Sequence, residues 1–374
     1  MSVTESAPTR LLGQAFEDDH DQFRDSLRSF VDRVVRPQLS EWRTAGAVDS
    51  GFHLSAAAQG ILGTTVPEHL GGGGSEDRRF GLVAAQELMR VGATGAALAL
   101  GLTETVVAPA LAVADAHPGA RDVLAGIASG TKRVAYIDLD ATVLVTADSG
   151  IVTLDGRAGT VIDGAHATDY VVLARTEAGA DLLIVLDART PGITCSAQSR
   201  PVGALDSGSA AVEFDKVQVE PSAVVRQEQS LRGTIWSDTA LAVAAICLAG
   251  AEEALRWTVD YVQDRTVFGR SVFAFDNTQS ILGRLLGSVI AARSIFGDCV
   301  RAQHTGGAGS TEAAALLVTS TDLFSSVVDK GLQLHGGFGY MHEYPIAQAF
   351  ADARFIELLV DEVESPGTVL ARSL

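Results

Sequence analysis

Apolar residues recur every three to four positions through the first third of the chain. Between residues 19 and 35, Phe23, Leu27, Phe30, Val31 and Val34 fall at steps of four, three, one and three. That is one stripe of an amphipathic helix. Pro37 is expected to end or kink it. The run Gly71-Gly72-Gly73-Gly74 reads as a loop, and residues 77–90, 92–116 and 120–127 read as further helices. The pattern then changes. Short β-type runs at 143–146, 151–154, 170–174, 182–186 and 212–219 are divided by turn residues such as Asp155-Gly156 and Asp163-Gly164. From Trp236 the helical period returns over 237–264, 277–304, 311–334 and 346–359. Long helices with short connections predict a four-helix bundle. The order predicts an α+β multidomain protein: a helical N-terminal domain over 1–130, an antiparallel β middle domain over 131–232, and a helical C-terminal bundle over 233–374.

Charge narrows the partners. The 374 residues include 28 basic and 46 acidic side chains, a net charge of −18, which argues against nucleic acid. Cys195, Cys247 and Cys299 have neither disulfide nor metal-site spacing, which suits a reducing cytoplasm. The first residues lack the layout of a signal peptide, so a cytoplasmic protein is expected. The apolar stretch over 239–251 is broken by Glu252-Glu253 and reads as a buried helix, not a membrane span. No histidine pair has metal-ligand spacing, and no Walker, G-x-G-x-x-G or G-x-S-x-G motif is present. No metal site is expected.

Four segments carry chemistry in chain order. They are Pro67-Glu68-His69-Leu70-Gly71-Gly72; Val212 to Val219 before Pro221; Asp264-Arg265-Thr266-Val267-Phe268-Gly269-Arg270; and Gln333-Leu334-His335-Gly336-Gly337-Phe338-Gly339-Tyr340, followed by Asp352-Ala353-Arg354. In that order and at those spacings the chain resembles the acyl-CoA dehydrogenase family of flavoproteins over nearly its whole length. The resemblance implies the same α-β-α fold. It also implies an FAD site shared across a subunit interface, a glutamate that takes the substrate's α-proton, and reoxidation by an electron-transfer flavoprotein. Arg265, Phe268, Gln333, Gly336 and Gly337 match the positions that one subunit lends to its neighbour's FAD. The residue types suit the task. An arginine makes charge-assisted bonds to phosphate, a glutamine offers a donor and an acceptor, and glycines let backbone approach a ligand.

The chain departs from the family where its own active site should be. Counting from either flank of the last segment puts the catalytic glutamate's place at Val360, and a valine cannot take a proton. The family's other location for a base falls at Thr239, and the substrate-facing arginine's place is Ala240. Asp238, Asp361, Glu362 and Glu364 are the carboxylates near enough to be relocated bases. In the middle domain, Thr160 stands for the tryptophan beside the flavin, Ile162 for a hydrogen-bonding threonine, and Ile137 to Thr142 for the flavin-binding loop. Residues lent to a neighbour are kept, while residues for the chain's own site are lost.

Three functions fit this pattern. The first is the subunit of a heteromeric acyl-CoA dehydrogenase, α2β2, that lacks the glutamate and completes a partner's FAD site. The partner would hold most of an acyl-CoA substrate, with a bulky or steroid side-chain thioester as the expected class. The second is a homo-oligomeric dehydrogenase with a relocated base. The third is a flavin-free scaffold of the same fold.

Overall fold

The computed structural model describes residues 15–139, 143–148, 151–177, 179–197, 201–306, 309–363 and 365–374. The N-terminal part holds α1 (Asp18–Phe30), α2 (Arg36–Ala45), α3 (Ser50–Ala58), α4 (Arg79–Arg90), α5 (Thr94–Leu102), α6 (Ala108–Ala112) and α7 (Pro118–Ser129). The apolar stripe of α1 buries Leu27 and Phe30. Pro37 does not end this helix. A π-turn at Val31–Val35 absorbs the missing amide, and the chain continues as α2 with Pro37 in its first turn. Local chemistry sets α7, with Pro118 in its first turn and Gly130 closing it at φ +71°.

A second π-turn, Thr103–Val107, interrupts the apolar run between α5 and α6 and carries the fully buried Glu104. Its carboxylate accepts from Gly63 N at 2.7 Å, Thr64 N at 2.9 Å and Thr64 Oγ1 at 2.7 Å. Burial raises its pKa above the ordinary value. This carboxylate pins the turn before the Pro67–Gly72 motif, whose Gly72 and Gly73 pack directly on the backbone of Val66 and Thr64.

The middle domain stacks two four-stranded sheets. One, in the order β1-β4-β5-β8, is built from β1 (Val134–Asp138), β4 (Asp169–Arg175), β5 (Asp181–Asp187) and β8 (Val224–Glu228). The other, β2-β3-β7-β6, is built from β2 (Val143–Asp148), β3 (Ile151–Val161), β6 (Ile193–Ala197) and β7 (Ala210–Val219). The second is antiparallel throughout, whereas β1 pairs β4 in parallel. In β4 and β5, Tyr170, Val172, Leu182 and Ile184 face the other sheet, while Val171, Leu173 and Leu183 face α6 and α7. Covered on both sides, these strands read as unbroken apolar runs, while β7 alternates.

The C-terminal part is a bundle of α8 (Leu231–Asp264), α9 (Asp276–His304), α10 (Ser310–His335) and α11 (Pro345–Val363), ending in α12 (Pro366–Ala371). A two-stranded hairpin, β9 (Thr266–Val267) and β10 (Arg270–Ser271), joins α8 to α9. Residues 94–112, α8 and α9 are long and apolar enough to cross a membrane by length and composition. The apolar windows of the first two are 83% and 78% buried inside the protein, so they are core; that of α9 is only 33% buried.

The three parts meet at a loop over residues 203–207. Gly95 at the start of α5 sits so close to this loop that a Cβ would overlap Asp206 and Ser207. Gly95→Ala is therefore expected to cost about 3 kcal/mol of stability through overpacking. Urea denaturation checks this, and a variant as stable as the wild type would remove the close approach as a packing requirement.

Candidate functional site

A cavity of about 410 Å³ lies between the middle domain and the bundle. From the middle domain come Tyr136, Ile137, Asp138 and Leu139 at the end of β1, and Arg157 to Ile162 along β3. From α8 come Trp236, Thr239, Ala240 and Val243; from α10, Leu317; and from α11, Leu359, Val360 and Glu362. The α8 residues share one face because they lie three and four positions apart. Trp236 was legible by that spacing from Thr239 and Ala240, but the sequence reading did not single it out. Tyr136, next to Ile137, was missed in the same way.

Polar groups in this wall are mostly committed. Asp138 is ion-paired with Arg232, which also donates to the Leu139 carbonyl at 3.0 Å. The Thr239 hydroxyl donates to the Ile235 carbonyl at 2.8 Å. The Tyr136 hydroxyl is buried without a hydrogen-bond partner among the described residues, and burial pushes its pKa well above the ordinary value.

The four candidate bases separate. Asp238 points away from this cavity. It is 4% exposed, and pairs with Arg78 of the turn before α4 and with Gln303 of α9. One residue along a helix turns a side chain by about 100°, which carries Asp238 off the face that holds Thr239. Desolvation raises its pKa to about 6 even though Arg78 and Gln303 pull it down. Asp361 lines an open groove on the outer side of α10 and α11. Glu362 alone of the described candidates lines the cavity, its carboxylate in the space that a side chain at Gly159 would fill. Glu364 lies outside the described residues. Val360 stands in the cavity wall, with Ala240 across from it on α8.

None of Arg265, Phe268, Gln333, Gly336 and Gly337 lines this cavity. All five are exposed. Arg265 follows α8, and its guanidinium lies 5.4 Å from the Phe338 ring centre. Tyr261 stacks on His335 at 4.1 Å and donates to its carbonyl at 3.2 Å, so the end of α8 is fixed to the end of α10. Gln333 sits in the last turn of α10, and Gly336 follows it at φ +60° and ψ −137°, a conformation for glycine. At Gly337 a Cβ would meet nothing within 4 Å, so its bare backbone faces open space. Phe268 is the first central residue of the β9–β10 turn. It is 95% exposed and held at φ +51°, with Gly269 at φ +80°. Such turns take Asn-Gly or Gly-Gly by preference, and a bulky side chain there is strained by about 1–3 kcal/mol. A strained aromatic in full solvent has no role inside this chain.

The decisive comparison is at family level. The family model "Acyl-CoA dehydrogenase, N-terminal domain" matches residues 17–131, and "Acyl-CoA dehydrogenase, C-terminal domain" matches residues 236–360. This chain belongs to the acyl-CoA dehydrogenase family. It is 26% identical over 369 residues to a mitochondrial long-chain specific acyl-CoA dehydrogenase of Sus scrofa, covering 92% of this chain and 83% of that one. Its fold matches an acyl-CoA dehydrogenase from Geobacillus kaustophilus with a TM-score of 0.88 at 24% identity, covering 96% of this chain and 98% of that one. A glutaryl-CoA dehydrogenase from Mycobacterium smegmatis in complex with FADH2 matches with a TM-score of 0.82 at 17% identity, covering 96% and 95%. The family is one of FAD-dependent enzymes that dehydrogenate acyl-CoA.

The two halves of this acyl-CoA dehydrogenase fold fit FAD unequally. The outward face fits its phosphates, with an exposed guanidinium on the same face as glycine backbone that nothing among the described residues covers. The cavity offers a ring fewer partners, the Tyr136 hydroxyl among them. Ile137, Val161 and Ile162 offer only side-chain carbon, and Asp138 and Thr239 already have partners.

Proposed function

We propose that this chain is the non-catalytic subunit of a heteromeric acyl-CoA dehydrogenase, paired with a second chain of the same family in an α2β2 assembly. The observation that carries this reading is the outward face around Phe268, strained and 95% exposed beside Arg265, on a chain whose base position is Val360. FAD supplies the hydride acceptor when bound on the partner. This chain's part is to hold it. Arg265 would bind phosphate through charge-assisted bonds. Gly336 and Gly337 would let phosphate oxygens reach backbone N–H groups, while Gln333 and Phe268 would meet the rest of the cofactor. The partner would supply the glutamate and most of the acyl-CoA pocket, and electrons would leave to an electron-transfer flavoprotein. The thinly buried apolar face of α9 supports burial in an assembly. A cavity of about 410 Å³ with Ile137, Val161, Ile162, Leu317 and Leu359 in its wall supports a bulky acyl group, with a steroid side-chain thioester as the expected class. The cytoplasm is the proposed compartment.

The test is flavin content. The chain purified alone is expected to be colourless, and co-expressed with a neighbouring family member it is expected to be yellow and active. A yellow, active homo-oligomer would overturn the reading.

Glu362 favours a second reading, a homo-oligomer with a relocated base, because its carboxylate reaches the cavity. Removing a general base costs about 10²–10⁴ in rate. On the first reading, Glu362→Gln and Asp361→Asn leave turnover of the mixed assembly unchanged. A loss of that size in Glu362→Gln alone would establish the relocated base instead.

A further inference from the structure

Asp206 and Asp352 are buried side by side where the three domains meet, outside the cavity and the outward face. Asp206, in the loop before β7, caps α5 from another domain. Its two oxygens accept from Gly95 N at 3.0 Å and Ala96 N at 3.1 Å. The α5 N-cap residue, Ala93, has no side chain that could do so. Asp352 of α11 grips the same loop and the same helix. Its Oδ1 accepts from Ala204 N at 2.8 Å and Gln348 Nε2 at 2.7 Å, and its Oδ2 accepts from Thr94 Oγ1 at 2.6 Å. Gly203 is pressed against the α11 backbone at Ala351.

The clamp reaches the cavity by two routes. Ser207 O accepts from Asp163 N at 2.8 Å, and Asp163 follows Ile162 of the cavity wall. On the other side, Leu359 lies seven residues beyond Asp352 on α11, so both occupy one helix face. When the clamp closes, it holds the β3 end of the cavity wall against the α11 end.

We propose that Asp206 and Asp352 form a proton-operated clamp that sets how closely the middle domain closes on the bundle over the cavity. The groups facing Asp352 allow two arrangements. When it is ionised, the Thr94 hydroxyl donates to it. When it is neutral, its own O–H donates to Thr94 Oγ1, whose proton turns to Met89 Sδ, 3.5 Å away. The charged groups that face the site are Asp206 from the loop and Arg43 from α2. Arg43 donates to the Gly92 carbonyl at 2.8 Å and lines a cavity of about 50 Å³ with Asp352. Packed there from α4, α8 and α11 are the uncharged Met89, Gly250, Trp257 and Ala349. Burial, with Asp206 adding repulsion, raises the Asp352 pKa from 3.8 to about 6; burial raises that of Asp206 as well.

A raised acid holds its proton more tightly in the closed state than in the open one. Closure is therefore favoured at low pH, and the advantage is lost as pH rises from 3.8 to about 6. With those two values the clamp opens about fiftyfold more readily at pH 7.5 than at pH 4.

Amide hydrogen exchange on the full chain tests this, with rates corrected for intrinsic pH dependence. Protection of Gly95, Ala96 and Ala204 is expected to fall across that pH window in the wild type. In Asp352→Asn, whose amide mimics the neutral acid, the fall at Ala204 is expected to vanish and that at Gly95 and Ala96 to shrink to what Asp206 alone supplies. Gln348→Leu removes a donor that favours the ionised form and leaves the acceptor of the neutral form in place, so it is expected to move the upper end of the fall to higher pH, which keeps the test open if the asparagine variant misfolds. A purely structural role would lower protection in the variants without changing the wild-type slope. Level wild-type protection, or an unmoved fall in Gln348→Leu, overturns the proposal. No flavin or partner enters the measurement, so its outcome is independent of the subunit reading.

Discussion

Replacing Arg265 by alanine is expected to strip flavin from the mixed assembly while leaving this chain as stable as before. The side chain is exposed, and its guanidinium lies 5.4 Å from the centre of the Phe338 ring. An exposed cation over an aromatic ring contributes about 0.5–1 kcal/mol. A hydrogen bond to a charged phosphate contributes about 1.5–3 kcal/mol. The second loss is the larger, and it falls only on the bound state, so FAD retention should weaken roughly tenfold to a hundredfold. Arg265→Lys keeps the charge but not the planar fork and should fall between. The measurement is flavin absorbance per assembly after gel filtration, beside the thermal midpoint of each variant. Full flavin content in Arg265→Ala would remove this residue from the cofactor site. A large drop in the midpoint would instead make it a folding residue.

Glu104→Leu is expected to be among the most destabilising single changes in the chain. The leucine fills the space but leaves Gly63 N, Thr64 N and Thr64 Oγ1 buried without their acceptor. Each unsatisfied group costs about 1–3 kcal/mol. The sum, about 3–9 kcal/mol, is a large part of a total stability of about 5–15 kcal/mol. Glu104→Gln keeps one acceptor oxygen and should lose less. Urea unfolding of both variants, with the change in midpoint taken at constant slope, gives the comparison. If leucine cost no more than glutamine, the carboxylate would not be what anchors the Pro67–Gly72 segment.

Much of the architecture was legible because helix and strand periods are local. The stripe from Phe23 to Val34 and the runs ending at Asp264, His304 and Leu334 needed only their neighbours in sequence. Strands β1, β6, β8, β9 and β10 and helices α2, α3 and α12 were not read. β1 is five residues flanked by charge, and its parallel pairing with β4 depends on a partner 35 residues away (Val134 with Asp169). Pro37 misled for a different reason: a π-turn upstream can absorb a missing amide, and nothing in the local pattern announces one.

The sequence by itself determined the family and the α-β-α order, because these follow from residue identity and spacing along the chain; the resemblance implies a glutamate where Val360 stands. Tertiary structure decided which carboxylate reaches the cavity. Asp238 is adjacent to a cavity position yet turns to Arg78, whereas Glu362, two residues past Val360, enters. It decided that Arg265, Phe268, Gln333, Gly336 and Gly337 face outward and away from this chain's own cavity. It also decided that Glu104 and Asp206, unremarkable in sequence, and Asp352, legible only as part of a motif, are buried groups that tie the domains and the N-terminal motif together. The physical reason is range. Periodicity is set within a turn or two of the backbone, but burial, pairing and protonation are set by whatever distant segment packs against a side chain.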